Sequence, residues 1–161
     1  MTVHERTERV VVAYDGDDVS TLALEAAAQY AALSDLLLDV VYVVDAQPLG
    51  ALAIIPEYIE QARYAGQRVL AQLPEILPPG VRFTTRLKEG DPARQILDEA
   101  EGARLLVVGS TTRSVIAGWA MGSVTLHCVL HAPCPVLVVP SLQHQTHRST
   151  SPELVEARQP A

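Results

Sequence analysis

Lysine is almost missing from this 161-residue chain, and aromatic residues make up only 4% of it. Lys88 is the single lysine among 12 basic residues, and the formal net charge is -7. Such a chain has no lysine-rich surface that would neutralise a phosphate backbone. We therefore expect no nucleic-acid partner.

The chain also lacks the segments that target proteins to membranes or export them. No apolar run approaches the roughly 18 residues of a membrane span, and the first ten residues are charged rather than a basic start followed by an apolar stretch. The two cysteines, Cys128 and Cys134, are too few for a disulfide framework. These absences predict a cytoplasmic protein without a membrane partner.

Three motifs typical of common enzyme classes are missing as well. The chain has no Gly-x-x-x-x-Gly-Lys-Ser/Thr P-loop and no Gly-x-Gly-x-x-Gly after its first predicted strand, and neither Ser110 nor Ser123 stands in a Gly-x-Ser-x-Gly setting. No residue stands out as a general base for fast phosphoryl transfer. Standard kinases, GTPases, dinucleotide dehydrogenases and serine hydrolases are therefore excluded, and enzymatic activity remains an open question.

Aliphatic residues, in contrast, are abundant: 48% of the chain is hydrophobic, and its length suits one domain. Apolar runs predict buried strands at residues 10–14, 36–44, 105–108 and 135–139. Residues 81–87 alternate between apolar and polar, which predicts an edge strand with one wet face. We expect the domain to span residues 9–140, with a flexible start (1–8) and a disordered tail (141–161).

Helices are predicted between these strands, at residues 20–33, 57–73, 92–101 and 121–131. Asp17, Asp18 or Ser20 suits the cap of the first helix, and Asp91 with Pro92 suits the start of the third. Strands that alternate with helices predict an α/β fold, an open doubly wound parallel sheet of five strands with helices on both faces. Ligands of such sheets bind at the carboxyl ends of the strands, where the strand order reverses.

The turn after the fourth predicted strand contains small and hydroxyl residues suited to binding an anion. Gly109 opens it, and Gly122-Ser123 begins the next helix, whose free N–H groups favour negative charge. A loop followed by an ordinary capped helix explains the same residues equally well by spacing alone.

Gly109, Thr112 and Gly122-Ser123 fall on the spacing Gly-x-x-Gly, nine residues, Gly-Ser/Thr, and the chain here resembles the universal stress protein family. Residues 10–16, 41–45, 89–92 and 132–140 resemble further blocks of that family in the same order, so that the resemblance covers about residues 9–140. It implies the strand order 3-2-1-4-5 of the adenine nucleotide alpha hydrolase-like fold.

The resemblance also implies a site for ATP, with Mg²⁺ as a further candidate ligand, and a stress-response role as sensor or adaptor with at most slow ATP hydrolysis. It implies a homodimer in which residues 136–139 of two copies pair. The residues that it assigns to the nucleotide are Ala13, Tyr14, Asp15, Val43, Val108, Gly109, Thr112, Arg113, Gly122, Ser123, Val124 and Thr125, with Asp15 accepting from the ribose and Ser123 and Thr125 donating to phosphates.

Two departures from the family pattern leave a second hypothesis open. Thr112 replaces the second motif glycine, and Asp17 stands where many family members have serine. If these side chains close the site, the chain is a nucleotide-free, dimeric interaction protein of the same fold. Either Asp17 helps to hold Mg²⁺ or it repels phosphate.

His127, Cys128, His131 and Cys134 together suggest zinc, because the two histidines share a helix face. Cys128, however, points about 100° away from His127 on a helix. The spacing is not that of a closed four-ligand site, so we expect no metal at this cluster.

Overall fold

The structure is a computed structural model that describes residues 8–46, 56–110, 115–116, 119–120 and 122–141. Of the two predicted terminal segments, it includes only Glu8 and Ser141. None of the helices in these ranges has the length and apolar character needed to cross a membrane.

Among the described residues, five parallel strands form the main sheet, and two short strands form a separate antiparallel ribbon. In chain order the strands are β1 (Arg9–Ala13), β2 (Leu37–Asp45), β3 (Phe83–Gly90), β4 (Leu105–Ser110), β5 (Val115–Ile116), β6 (Trp119–Ala120) and β7 (Val136–Pro140). The main sheet has the order β3-β2-β1-β4-β7, so that β3 and β7 are its edges. The predicted fold class, strand order and edge position of the third strand are confirmed.

The predicted polar loop from residue 109 was wrong in two places. Gly109 and Ser110 continue β4, where they pair with Val139 and Pro140 of β7. The ribbon formed by β5 and β6 lies farther along the same segment. A glycine followed by hydroxyl residues is typical of a turn in sequence. Here the pairing with β7 continues through Gly109 and Ser110, so β4 extends beyond the predicted end.

In the part of the chain that the structure describes, five helices connect the strands. They are α1 (Asp18–Leu33), α2 (Pro56–Ala71), α3 (Leu73–Ile76), α4 (Pro92–Ala100) and α5 (Ser123–His131). The helix predicted for residues 57–73 corresponds to α2, which ends at Ala71, and the unpredicted α3 begins two residues later with Pro74 in its first turn. Proline is tolerated in a first turn, because its missing N–H would have no partner there.

The two faces of the sheet bury separate cores. Val10 and Val12 of β1 pack under α1, whereas Val11 between them packs under α4 and α5. The alternation along β1 therefore gives each face its own apolar residues, as a strand covered on both sides requires.

A network of buried charges interrupts the second core, and sequence reasoning missed it. Asp39, in the middle of β2, is completely buried and binds Arg9 Nη1 at 2.5 Å. Arg86 Nε donates to both Asp39 oxygens at 3.0 and 3.1 Å, and the Thr84 hydroxyl also donates to Asp39. Arg86 Nε also forms an ion pair with Glu99 Oε2 of α4, at 3.2 Å. The network therefore ties three neighbouring strands to one helix.

Candidate functional site

A pocket of about 310 Å³ opens at the carboxyl ends of the central strands. In the sheet, β1 lies between β2 and β4. The pocket lies beside the end of β1, at the point where the strand order reverses. Its size is at the lower end of the roughly 300–1,000 Å³ typical of small-molecule sites. The lining residues are Ala13, Tyr14, Asp15, Asp17, Ser20, Val41, Val43, Asp45, Pro92, Ile96, Val108, Gly109, Val124 and Thr125.

Most of the residues assigned by the resemblance to a nucleotide lie together in this lining. These are Ala13, Tyr14, Asp15, Val43, Val108, Gly109, Val124 and Thr125. Ser123 instead lines a neighbouring groove, which shares Val124 with the pocket, and Gly122 is the residue before α5. Thr112 and Arg113 lie outside the described residues.

The turn after β1 holds Asp15 in a fixed position. The Ser20 hydroxyl donates to Asp15 Oδ1 at 2.7 Å, and the Asp17 N–H donates to the same oxygen at 3.0 Å. Gly16 makes the turn possible with a φ of +87°, where a side chain would be strained. Two donors on one oxygen fix the carboxylate at the mouth of the pocket.

Asp17 caps α1, as one of the three predicted candidates. Its Oδ1 accepts from the Ser20 N–H at 2.6 Å, and its carbonyl accepts from the Thr21 hydroxyl. The helix therefore begins at Asp18, two residues before the predicted start. The cap brings the Asp17 side chain into the pocket lining together with Asp15.

Main-chain groups of β2 extend beyond the end of β1. The register of the two strands ends at Ala13 and Val41, after which the Tyr14 N–H donates to the Val41 carbonyl. Every second residue of a strand directs its main-chain groups to the same neighbouring strand. Val43, like Val41, therefore directs its N–H and carbonyl towards β1. Strand β1 has already turned away there, so the pocket borders a donor and an acceptor.

Gly109 is required by close packing between β4 and α1. A Cβ at this position would lie 2.9 Å from Val19 Cγ1 and 3.1 Å from the Val19 carbonyl oxygen. The first turn of α1 therefore rests directly on β4. This contact explains the glycine without any ligand, which the sequence pattern alone did not indicate.

Thr125, which the resemblance assigns to the phosphates, has a hydrogen-bond partner within the protein. It is buried, and its hydroxyl donates to the Gly109 carbonyl at 2.7 Å. The hydroxyl has one proton, which it donates to the main chain in this structure, so the side chain ties α5 to β4. Ser123, by contrast, is exposed at the first position of α5.

Several lining residues were not identified from the sequence. Val41, Asp45, Pro92 and Ile96 complete the walls, and the Ser20 hydroxyl supports Asp15. Asp45 ends β2 and Pro92 follows the end of β3. Both therefore lie at the carboxyl ends of the strands, as the predicted residues do. The rule that carboxyl ends of parallel strands meet at one edge was the signal that could have found them.

The negative charge of Asp15 also affects a side chain outside the pocket lining. Burial, and after it the negative charge of Asp15, raise the pKa of the Tyr42 hydroxyl on β2. The Asp15 turn is therefore a source of negative potential at the carboxyl ends of the strands.

The histidine and cysteine cluster is dispersed by the fold. His127 and His131 stack on the surface with ring centroids 4.4 Å apart, whereas Cys128 is completely buried in the second core. Burial raises the pKa of the Cys128 thiol to about 11, so it is protonated at neutral pH. Within the described ranges, no three His, Cys, Asp or Glu side chains are arranged to hold a metal ion.

Comparison with known proteins identifies the family. The model of the Universal stress protein family matches residues 6–140. Universal stress protein MJ0531 of Methanocaldococcus jannaschii is 33% identical over 82% of this chain and 81% of its own. The structure of UspA from Lactobacillus plantarum superimposes with a TM-score of 0.72 at 26% identity, covering 83% of this chain and 98% of that one.

A universal stress protein solved in complex with cAMP has a TM-score of 0.57 and 28% identity, covering 83% of this chain and 97% of its own. The sheet order, the pocket at the strand switch and these matches agree with one another. The chain belongs to the universal stress protein family.

Proposed function

We propose that this protein is an adenine-nucleotide-binding module that acts in stress responses as a sensor or adaptor. The observation that carries the proposal is the pocket at the strand switch, with apolar walls and a fixed carboxylate at its mouth. The cAMP complex of a relative with 28% identity supports the same class of ligand.

The walls and the main chain of β2 suit a purine base. Val43, Ile96 and Val108 provide apolar surface on which a flat ring packs. The N–H and carbonyl of Val43 present a donor beside an acceptor, which matches the alternating acceptor and amino group on the pairing edge of adenine. Guanine reverses this order, so the pocket favours adenine.

Asp15 suits the ribose that follows. Its Oδ1 is held by the protein, and a carboxylate has acceptor capacity for further donors, so a pair of sugar hydroxyls finds a charged acceptor at the mouth. Phosphates then extend towards the groove that contains Ser123, at the amino end of α5. ATP, with Mg²⁺ to offset its charge, is the ligand that occupies both the pocket and the groove.

The role of Asp15 is tested by calorimetric titration of Asp15→Ala with adenosine and with 2′,3′-dideoxyadenosine. A lost hydrogen bond to a charged group is worth about 1.5–3 kcal/mol, so adenosine affinity should fall by about ten- to a hundredfold. The dideoxy ligand lacks the hydroxyls and should lose little. Asp18→Ala, which removes an adjacent exposed charge outside the lining, is the control. Equal losses for both ligands would remove Asp15 from ribose recognition.

We also propose a homodimer through β7 and α5. The edge strand β7 exposes Leu137, and α5 exposes Leu126, Val129 and Leu130 at the spacing of one helical stripe. An apolar edge strand with unpaired main-chain groups is covered in most proteins, and a second copy covers both features by symmetry. The same surface supports the second candidate function, a dimeric interaction protein that binds no nucleotide.

The dimer is tested by analytical ultracentrifugation of Leu130→Glu combined with Leu137→Glu. Four buried carboxylates at the two-fold interface should convert the protein to a monomer at micromolar concentration, because unpaired buried charge is costly. Leu33→Glu is the matched control, since Leu33 is 89% exposed at the end of α1. A wild-type monomer, or a variant that still dimerises, would contradict this interface.

A further inference from the structure

We propose that Asp17 is a specificity-determining residue that selects the ligand of this pocket by charge, in favour of nucleosides and ligands of low negative charge over free triphosphates. The inference rests on the proposed adenine site. It assigns to Asp17 a role separate from its capping of α1.

The Asp17 carboxylate is fixed at the pocket. Its Oδ1 accepts from the Ser20 N–H at 2.6 Å, and its own N–H donates to Asp15 Oδ1 at 3.0 Å. The side chain lines the pocket and is also exposed to solvent, so it stands at the mouth. A carboxylate held in this way cannot swing away from an incoming anion without losing the helix cap.

The charges of the described lining residues are of one sign. Asp15, Asp17 and Asp45 are acidic, and the described part of the lining contains no arginine, lysine or histidine. The neighbouring groove, towards which the phosphates extend, contains Arg94 and His127 but also three aspartates. Repulsion between unit charges several ångströms apart is comparable with thermal energy even in water, and it adds up over the charges of a polyphosphate. Adenosine, which is uncharged, escapes this repulsion, and a cyclic nucleotide with one charge meets only part of it.

The cap and the charge of Asp17 can be separated by one substitution. Asparagine caps helices about as well as aspartate does, because the side-chain oxygen that accepts the bond is retained. Asp17→Asn therefore removes the charge while it keeps the bond to the Ser20 N–H. Asp18 is adjacent, acidic and exposed but lies outside the lining, so Asp18→Asn is a matched control for net charge.

The experiment is calorimetric titration of adenosine and of ATP without Mg²⁺ into wild type, Asp17→Asn and Asp18→Asn at low ionic strength. The ratio of ATP affinity to adenosine affinity should rise by about three- to tenfold in Asp17→Asn. The rise should be clearly smaller in Asp18→Asn. At about 1 M salt, where the Debye length is about 3 Å, the difference between Asp17→Asn and wild type should largely disappear.

An unchanged ratio in Asp17→Asn, an equal change in Asp18→Asn, or a change that persists in high salt would overturn the role of Asp17. Each of these outcomes concerns only the ratio of two affinities, so adenosine binding to the wild type, and with it the proposed function, still stands. Failure of adenosine and of every adenine nucleotide to bind the wild type would instead reject the adenine site itself, and the charge selection with it.

Discussion

Replacement of Asp39 with alanine should lower the free energy of unfolding by about 3–5 kcal/mol, since removal of one partner leaves a buried charge uncompensated. Asp39 is completely buried between Arg9 and Arg86. Arg9 is only 3% exposed, and after the substitution its remaining partners are the main-chain carbonyls of Glu99 and Glu101. A loss of this size is a large part of the 5–15 kcal/mol that stabilises a typical domain.

Urea unfolding followed by circular dichroism measures this loss. Asp39→Asn keeps the size of the side chain and an acceptor for Thr84 but removes the charge, so it remains informative if the alanine variant does not fold. Glu89→Ala is the control, because it breaks a solvent-exposed pair with Arg63 and should change stability little. If Asp39→Ala and Glu89→Ala unfolded at the same urea concentration, the buried network would not stabilise the fold.

Gly109→Ala should destabilise the protein by about 1–3 kcal/mol and weaken adenosine binding by about tenfold or more. The new Cβ would press against the main chain of Val19, which belongs to the first turn of α1. That turn contains Ser20, whose hydroxyl holds Asp15, so a displaced helix also disturbs the mouth of the pocket. Packing and binding should therefore weaken together.

A double-mutant cycle with Val19→Ala separates the contact from other effects. Val19 Cγ1 is the nearest atom to the added Cβ, so its removal should restore part of the lost stability, and the two substitutions should not be additive. Main-chain contacts at 3.1 and 3.2 Å remain, so recovery should be incomplete. Simple additivity, measured by urea unfolding, would mean that the contact with the Val19 side chain is not the cause.

The sequence predicted the fold well because its signals were local and repeated. Apolar strands alternated with capped helices, and Asp91 with Pro92 opens α4 as expected. The edge position of β3 also followed from the alternation of its residues. The short helix α3 was missed, because a proline that follows a helix can either end it or begin the next one.

The site was predicted less completely, because side-chain partners depend on contacts between distant segments. Asp39 stood in a run that was almost wholly apolar, and only the sheet register brings Arg9 and Arg86 to it. The acceptor of the Thr125 hydroxyl is the Gly109 carbonyl, 16 residues earlier. Spacing along the chain indicates which residues lie together at the carboxyl ends of the strands, but not which of them bind each other.

Calorimetric titration of nucleotide-free wild-type protein with adenosine, AMP, cyclic AMP, ADP and ATP, each with and without Mg²⁺, tests the adenine site most directly. We expect saturable binding at one site per chain for at least one of these ligands, weakened by Gly109→Ala. No heat and no thermal shift with any of them would contradict nucleotide binding, and would leave the dimeric interaction protein as the function of this chain.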